Sequence, residues 1–287
     1  MKKILITGKS SYIGHQFEGW LNQSNNNYYV DKISVRDDLW KSENFNEHDT
    51  VLHLAGIAHV SRDPKMEDLY YQVNRDLTID LARKAKADGV RQFIFMSSII
   101  VYGDSSTEKQ IINRETVPQP SNFYGDSKLK AEKGINELAD ETFKVVVIRP
   151  PMIYGKGSKG NYPKLATVAQ KLPIFPDIDN QRSMLHIDNL CEFIKLMIDN
   201  NETGLFFPQN SEYTKTSEMV RLVGEVHGKN VRLTRLFNPF IKPFIGRLEF
   251  LNKLFGNLVY DQEMSKYNKN YQIVNLKQSI NATESVK

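Results

Sequence analysis

With one cysteine among 287 residues, Cys191, the chain cannot form an internal disulfide, and a reducing cytoplasm is the expected setting. Long apolar runs are missing too. None approaches the roughly 18 residues of a membrane-spanning helix, and the opening "MKKILITGK" holds too short an apolar run for a signal peptide. Charge of one sign is equally scarce: 38 lysines and arginines face 34 acidic residues, a net +4 that reads as thinly spread. That balance excludes the basic stripe nucleic acid demands and implies at most a basic pocket for an anionic small molecule. His53, His59 and His186 are scattered without paired ligand spacing, so no metal site is expected. They read as core or crevice-lining residues, with His59 near a cofactor. There are no internal repeats.

What is present is an ordinary globular composition, 40% hydrophobic and 25% charged. The apolar strand Ile4 to Ile6 runs into "TGKSSYIG", which holds two competing phosphate-binding signals. A triphosphate loop would need a glycine where Lys3 stands, and is rejected. A dinucleotide-binding turn fits: Gly8 permits the tight turn, Gly14 the close packing of helix on strand, and the helix start attracts a pyrophosphate. Ser11, Tyr12 and Ile13 lie between them, Ser11 replacing the usual middle glycine.

Further strands are expected at Tyr28 to Val35, Thr50 to Gly56, "QFIFMSS" and "FKVVVIRP", with helices at "EDLYYQVNRDLTIDLARKAKADG" and "NFYGDSKLKAEKGINELA" between them. Strands alternating with helices predict an α/β fold, a doubly wound parallel sheet of the Rossmann kind over residues 1–150, with later segments returning to it. Residues 151–287 change texture and are expected to form mainly a smaller substrate-binding lobe. The stretch Lys277 to Lys287 is polar and expected to fray.

Tyr124 and Lys128 are four apart on a helix and project from one face. An ammonium beside a phenol lowers a pKa that starts near about 10, which makes a general acid/base. Such pairs are common on helix surfaces, and context decides. Ser98 ends a strand, and ligands bind beyond the C-terminal strand ends of such sheets.

Together these residues carry a resemblance to the extended short-chain dehydrogenase/reductase family, the NAD(P)-dependent nucleotide-sugar epimerases, dehydratases and reductases. The matches run through "TGKSSYIG", "HLAG" with Leu54, Ala55 and Gly56, "VNRDLT" with Asn74, "SSIIVYG", "YGDSK", "IRPPMIYGKG" and "QRSMLHIDNL". The resemblance implies a Ser98, Tyr124, Lys128 triad in which Tyr124 moves the proton, Ser98 steadies the substrate oxygen and Lys128 holds the nicotinamide ribose. It also implies cofactor contacts from the glycine turn, Leu54 to Gly56 and Asn74. Ile99 and Ile100 stand where sugar 4,6-dehydratases carry an Asp-Glu pair, and isoleucines transfer no protons, so dehydration is excluded. Arg36 stands where members binding NAD place an acidic residue, so NADP is favoured over NAD, with Lys9 as a further contact.

Asn161, Lys164 and Arg182 fall where similar enzymes hold the nucleotide and diphosphate of a UDP-linked sugar. Asp188 is read as the cap of the following helix. The resemblance implies a reductase acting at C4 of a UDP-4-keto sugar, such as a 2-acetamido-2,6-dideoxy hexose for surface polysaccharide. The alternatives are a UDP-hexose 4-epimerase and, more remotely, a non-catalytic nucleotide-binding regulator. A homodimer through the helices of Asn74 and Tyr124 follows by the same analogy. "FNPFIKPFIGRLEFLNKLFGNLVY" is interrupted by two prolines and is expected to pack its apolar residues within the chain, not on a membrane.

Overall fold

A computed structural model describes residues 1–23, 27–58, 63–108 and 111–285; His59 lies outside them. The chain divides into two compact units, one of residues Met1–Gly103, Val117–Pro150 and Leu190–Pro208, the other of Asp104–Thr116, Pro151–Asn189 and Gln209–Lys287.

The first unit is built on six parallel strands: β1 (Lys2–Thr7), β2 (Tyr28–Ile33), β3 (Thr50–His53), β4 (Gln92–Met96), β5 (Lys144–Ile148) and β6 (Gly204–Phe206). Their order is β2-β1-β3-β4-β5-β6. The inner strands are apolar on both faces, as a sheet covered on both sides requires. Leu5, Val51, Phe93, Phe95, Val145 and Val147 pack with Leu81 and Ala85 of helix α3 and Ala131 and Ile135 of helix α4. Ile4, Ile6, Leu52, Ile94 and Val146, of the opposite parity, are equally buried. The ranges of the helices are α1 (Tyr12–Leu21), α2 (Glu67–Tyr70), α3 (Leu77–Ala87) and α4 (Phe123–Asn136).

This is the expected Rossmann-like sheet, with β2 at its edge. After β2 the chain makes one 3₁₀ turn, Asp38–Lys41, and re-enters as β3 on the other side of β1. The order therefore reverses between β1 and β3, where a crevice opens beyond the strand ends. β2 and β3 both end short of the runs expected: β2 at Ile33, whose carbonyl takes the Gly8 and Lys9 N–H groups, and β3 at His53, after which the Leu54 N–H bonds the Thr7 carbonyl. The helix expected over residues 67–89 forms, but as α2, a π-helical turn Tyr71–Asp76 and α3. Such widened turns gather at functional sites, and this one carries Asn74.

The second unit packs the helices Asn161–Lys171, Thr216–Val226 and Leu276–Glu284 around Tyr154, Phe175, Val220 and Ile280, with three two-stranded parallel ladders. Two expectations are corrected in it. As far as Glu284 the C-terminal stretch is helical, not frayed: Asn275 and Gln278 close a capping box, and Ile280 is buried. Nor does the 237–260 segment bury all its apolar residues. Ile245 and Phe255 are buried, but Phe237, Phe240, Phe244, Leu248 and Phe250 are exposed, because the short helices Asn238–Ile241 and Glu249–Phe255 each have only one face against the core.

Candidate active site

The glycine turn forms as expected, and the structure shows why Ser11 can replace a glycine. Its backbone is extended, φ −70° and ψ 139°, so no glycine conformation is required. Its hydroxyl accepts the Gly14 N–H at 3.0 Å and caps α1. Gly8, by contrast, has φ +92°, and a Cβ there would lie 3.0 Å from the Ala55 nitrogen. The first turn of α1 holds no acidic residue, so Tyr12, Ile13 and Gly14 open a helix whose start suits a phosphate.

Across the switch point, Leu54, Ala55 and Gly56 leave β3. Gly56 is exposed, and a Cβ on it would meet Asn74 Oδ1 at 3.0 Å and Lys128 Nζ at 3.3 Å. Asn74 itself is fully buried. Its Oδ1 accepts the Ile57 N–H and its Nδ2 donates to the Ile57 carbonyl, so it clamps the loop after β3. His53 is buried between the Thr7 and Thr78 hydroxyls, and burial lowers its pKa to about 3, keeping the ring neutral.

α4 brings the expected pair together. The Asn122 side chain caps it through the Gly125 N–H, and Gly125 must lack a Cβ because that atom would stand 2.7 Å from the Ile100 carbonyl oxygen. α4 is thus pressed against the 3₁₀ turn Ile99–Tyr102 that begins at Ser98. The Ser98 hydroxyl faces the Tyr124 phenol closely enough to hold its pKa down. Lys128, one turn on, is buried, donates to the Met96 carbonyl at 3.0 Å and lies 4.6 Å from the Phe95 ring centroid.

The electrostatics differ from the expectation of an acidified phenol. Burial pushes Tyr124 up to about 12, against a smaller downward pull from Ser98. Burial brings Lys128 down to about 8, opposed by Glu132. The protein alone therefore holds a protonated phenol beside an ammonium that sheds its proton just above neutrality.

One functional group escaped the sequence reading. Glu132, a further turn along α4, pairs with Arg149 at the end of β5 at 2.5 Å, both buried. Glu132 also bonds the Ser97 hydroxyl, and Arg149 donates to the Tyr102 phenol at 2.7 Å. This network grips both ends of the Ser98 turn. Its signal in the sequence was an arginine ending an apolar strand, with a glutamate four residues after Lys128.

Arg36 stands three residues beyond β2, exposed, with no ion pair on its guanidinium among the described residues. In the second unit, Asn161 and Lys164 are exposed on the first turn of their helix. Arg182 donates to the Lys253 and Gly256 carbonyls at 2.9 and 3.2 Å and thereby caps the helix Glu249–Phe255. Burial lowers its pKa to about 10. His186, not Asp188, caps the next helix, its Nδ1 accepting the Asp188 N–H at 3.3 Å. Among the described residues no cluster of side chains could hold a metal, and no helix is long and apolar enough to cross a membrane.

Comparison with known proteins agrees with this picture. Residues 4–206 match the model of the "NAD dependent epimerase/dehydratase family". The chain is 33% identical over 245 residues to a UDP-glucose 4-epimerase of Vibrio cholerae, covering 77% of this chain and 74% of that one. It is 26% identical over 247 residues to a GDP-6-deoxy-D-mannose reductase of Pseudomonas aeruginosa, covering 78% and 80%. Among solved structures, RMD from Pseudomonas aeruginosa complexed with NADPH superposes with a TM-score of 0.74 at 21% identity, over 99% of this chain and 98% of that one.

Proposed function

This chain belongs to the NAD dependent epimerase/dehydratase family, and we propose that it is an NAD(P)-dependent enzyme acting at C4 of a UDP-linked sugar. The observation that carries the proposal is Ser98, just beyond the C-terminal end of β4, facing the Tyr124 phenol of α4, with buried Lys128 one helical turn away and bonded to the Met96 carbonyl.

The residues present fit a dinucleotide. Gly56 lies exposed against Asn74 and the Lys128 ammonium, and Lys128 spends one of its three ammonium protons on the Met96 carbonyl, so donors remain for ribose hydroxyls. The turn from Gly8 to Gly14 would hold the pyrophosphate, Leu54 to Gly56 would line the groove, and Asn74 acts as a positioning residue through Ile57. When bound, the nicotinamide supplies or takes up hydride at the sugar carbon. Tyr124, protonated at neutral pH, gives its proton to the C4 oxygen as charge grows there, and Ser98 holds that oxygen in line. Asn161, Lys164 and the remaining donors of Arg182 are proposed for the nucleotide diphosphate.

The finer reading is a reductase of a UDP-4-keto 2-acetamido-2,6-dideoxy hexose serving surface polysaccharide synthesis in the cytoplasm, as a homodimer. Arg36 supports it, since an exposed guanidinium beyond β2 suits the extra phosphate of NADP. A second reading, a 4-epimerase, is favoured by the Vibrio cholerae relative. Cofactor retention separates them, because an epimerase regenerates its NAD at every turnover while a reductase must exchange it. Denaturing the purified protein and identifying the released dinucleotide by mass spectrometry is expected to yield little NAD. Its melting temperature is expected to rise more with NADPH than with NADH. Stoichiometric NAD would overturn the reductase and support the epimerase.

A further inference from the structure

The chain's positive charge is not thinly spread. Residues 229–256 hold six basic residues, Lys229, Arg232, Arg235, Lys242, Arg247 and Lys253, against one acidic residue, Glu249. That surplus of five exceeds the whole chain's net +4, so everything outside the segment is slightly negative. The same segment displays large apolar side chains. Leu236 is 79% exposed, Phe240 75% and Phe250 67%, with Phe237, Phe244 and Leu248 also at the surface. Ile241, Ile245, Leu251 and Phe255 point the other way, into the core of the second unit. This anchoring fixes an outward apolar face where a loose loop would otherwise be free to fold it in. Glu249 is paired with Lys253, whereas Lys242 and Arg247 have no ion pair among the described residues.

We infer that this face docks on an anionic lipid bilayer, its phenylalanines seated at the headgroup boundary and Lys242 and Arg247 against the lipid phosphates. Phenylalanine and leucine flanked by basic residues on short helices make the pattern of an interfacial surface. Anionic headgroups complement the local surplus of charge, and each basic residue near such a surface adds to attraction. Arg235 is paired with Asp177 and Lys253 with Glu249, and a second copy of the chain fits poorly because it would set the unpaired Lys242 and Arg247 of one copy against those of the other. The inference goes beyond the reading of the active site and uses none of its residues.

The test is co-sedimentation of the full chain with phosphatidylcholine vesicles containing about a quarter phosphatidylglycerol, beside pure phosphatidylcholine vesicles. Binding is expected to the anionic vesicles alone, and to weaken as salt is raised. Lys242→Gln with Arg247→Gln should weaken it about twenty-five-fold, roughly fivefold per charge removed. Phe240→Ser with Phe250→Ser should abolish it without lowering the melting temperature, since both side chains are exposed. No binding to anionic vesicles, or equal binding to neutral ones, would overturn the inference. So would self-association in lipid-free sedimentation that the phenylalanine variants lose, which would assign the face to a second copy. Saturable binding to polyglutamate without vesicle binding would assign it to an acidic protein.

Discussion

Replacing Tyr124 by phenylalanine is expected to lower kcat by about a thousandfold while leaving dinucleotide binding nearly unchanged, because the substitution removes the hydroxyl that carries the proton beside Ser98 and little volume. Steady-state kinetics beside dinucleotide titration checks both halves. The pH profile of the unsubstituted enzyme separates Tyr124 from its neighbour. Lys128 loses its proton as pH passes about 8, whereas Tyr124, at about 12, stays protonated throughout that range. The sign follows: kcat/KM should fall on the alkaline side of about 8 as the ammonium is neutralised, with no gain from phenolate formation. A flat profile across roughly pH 7 to 9 would show that the charge on Lys128 is not used.

The largest effect on stability is expected at Glu132. Replacing it by alanine leaves the Arg149 guanidinium buried without its carboxylate and frees the Ser97 hydroxyl, at a cost of about 3–5 kcal/mol. A thermal melt should fall by roughly 10 °C. Breaking the pair is costly because a buried charge is stranded. Replacing both partners by apolar residues of similar size, Glu132→Leu with Arg149→Met, should therefore recover much of the loss. A melt unchanged by the single substitution would mean that solvent reaches Arg149 and that the network does not hold the Ser98 turn. Activity should fall as well, since the same carboxylate grips Ser97 beside Ser98 and supports the charge on Lys128.

What could be read from the sequence is what short-range rules determine. The run from Ile4 through Gly8 into α1, the four-residue spacing of Tyr124 and Lys128, and Ser98 at a strand end all follow from local periodicity and turn chemistry. Long-range pairing was illegible. Asn74 reads as a ligand contact, yet both ends of its amide engage the backbone of Ile57, a partner seventeen residues away. A lysine four residues from a tyrosine suggests an acidified phenol, but burial decides the matter and raises it. Arg182 reads as a diphosphate fork, and in the fold one of its arms caps the helix Glu249–Phe255. The polar C-terminal stretch is held by Ile280 and a capping box, which composition alone does not weigh. The 237–260 segment shows why periodicity fails when a chain has two apolar faces: it names the apolar residues without saying which meet the core.

The claim that Ser98, Tyr124 and Lys128 serve chemistry at C4 is tested most directly by following one labelled hydrogen. The protein is incubated with a UDP-linked 4-keto 2-acetamido-2,6-dideoxy hexose and reduced nicotinamide cofactor deuterated at the transferable position, and the product is read by NMR. The expected result is a 4-hydroxy sugar carrying deuterium at C4, in step with the cofactor oxidised, and no such product with Tyr124→Phe. Deuterium at another carbon, or cofactor oxidised without label at C4, would contradict the account.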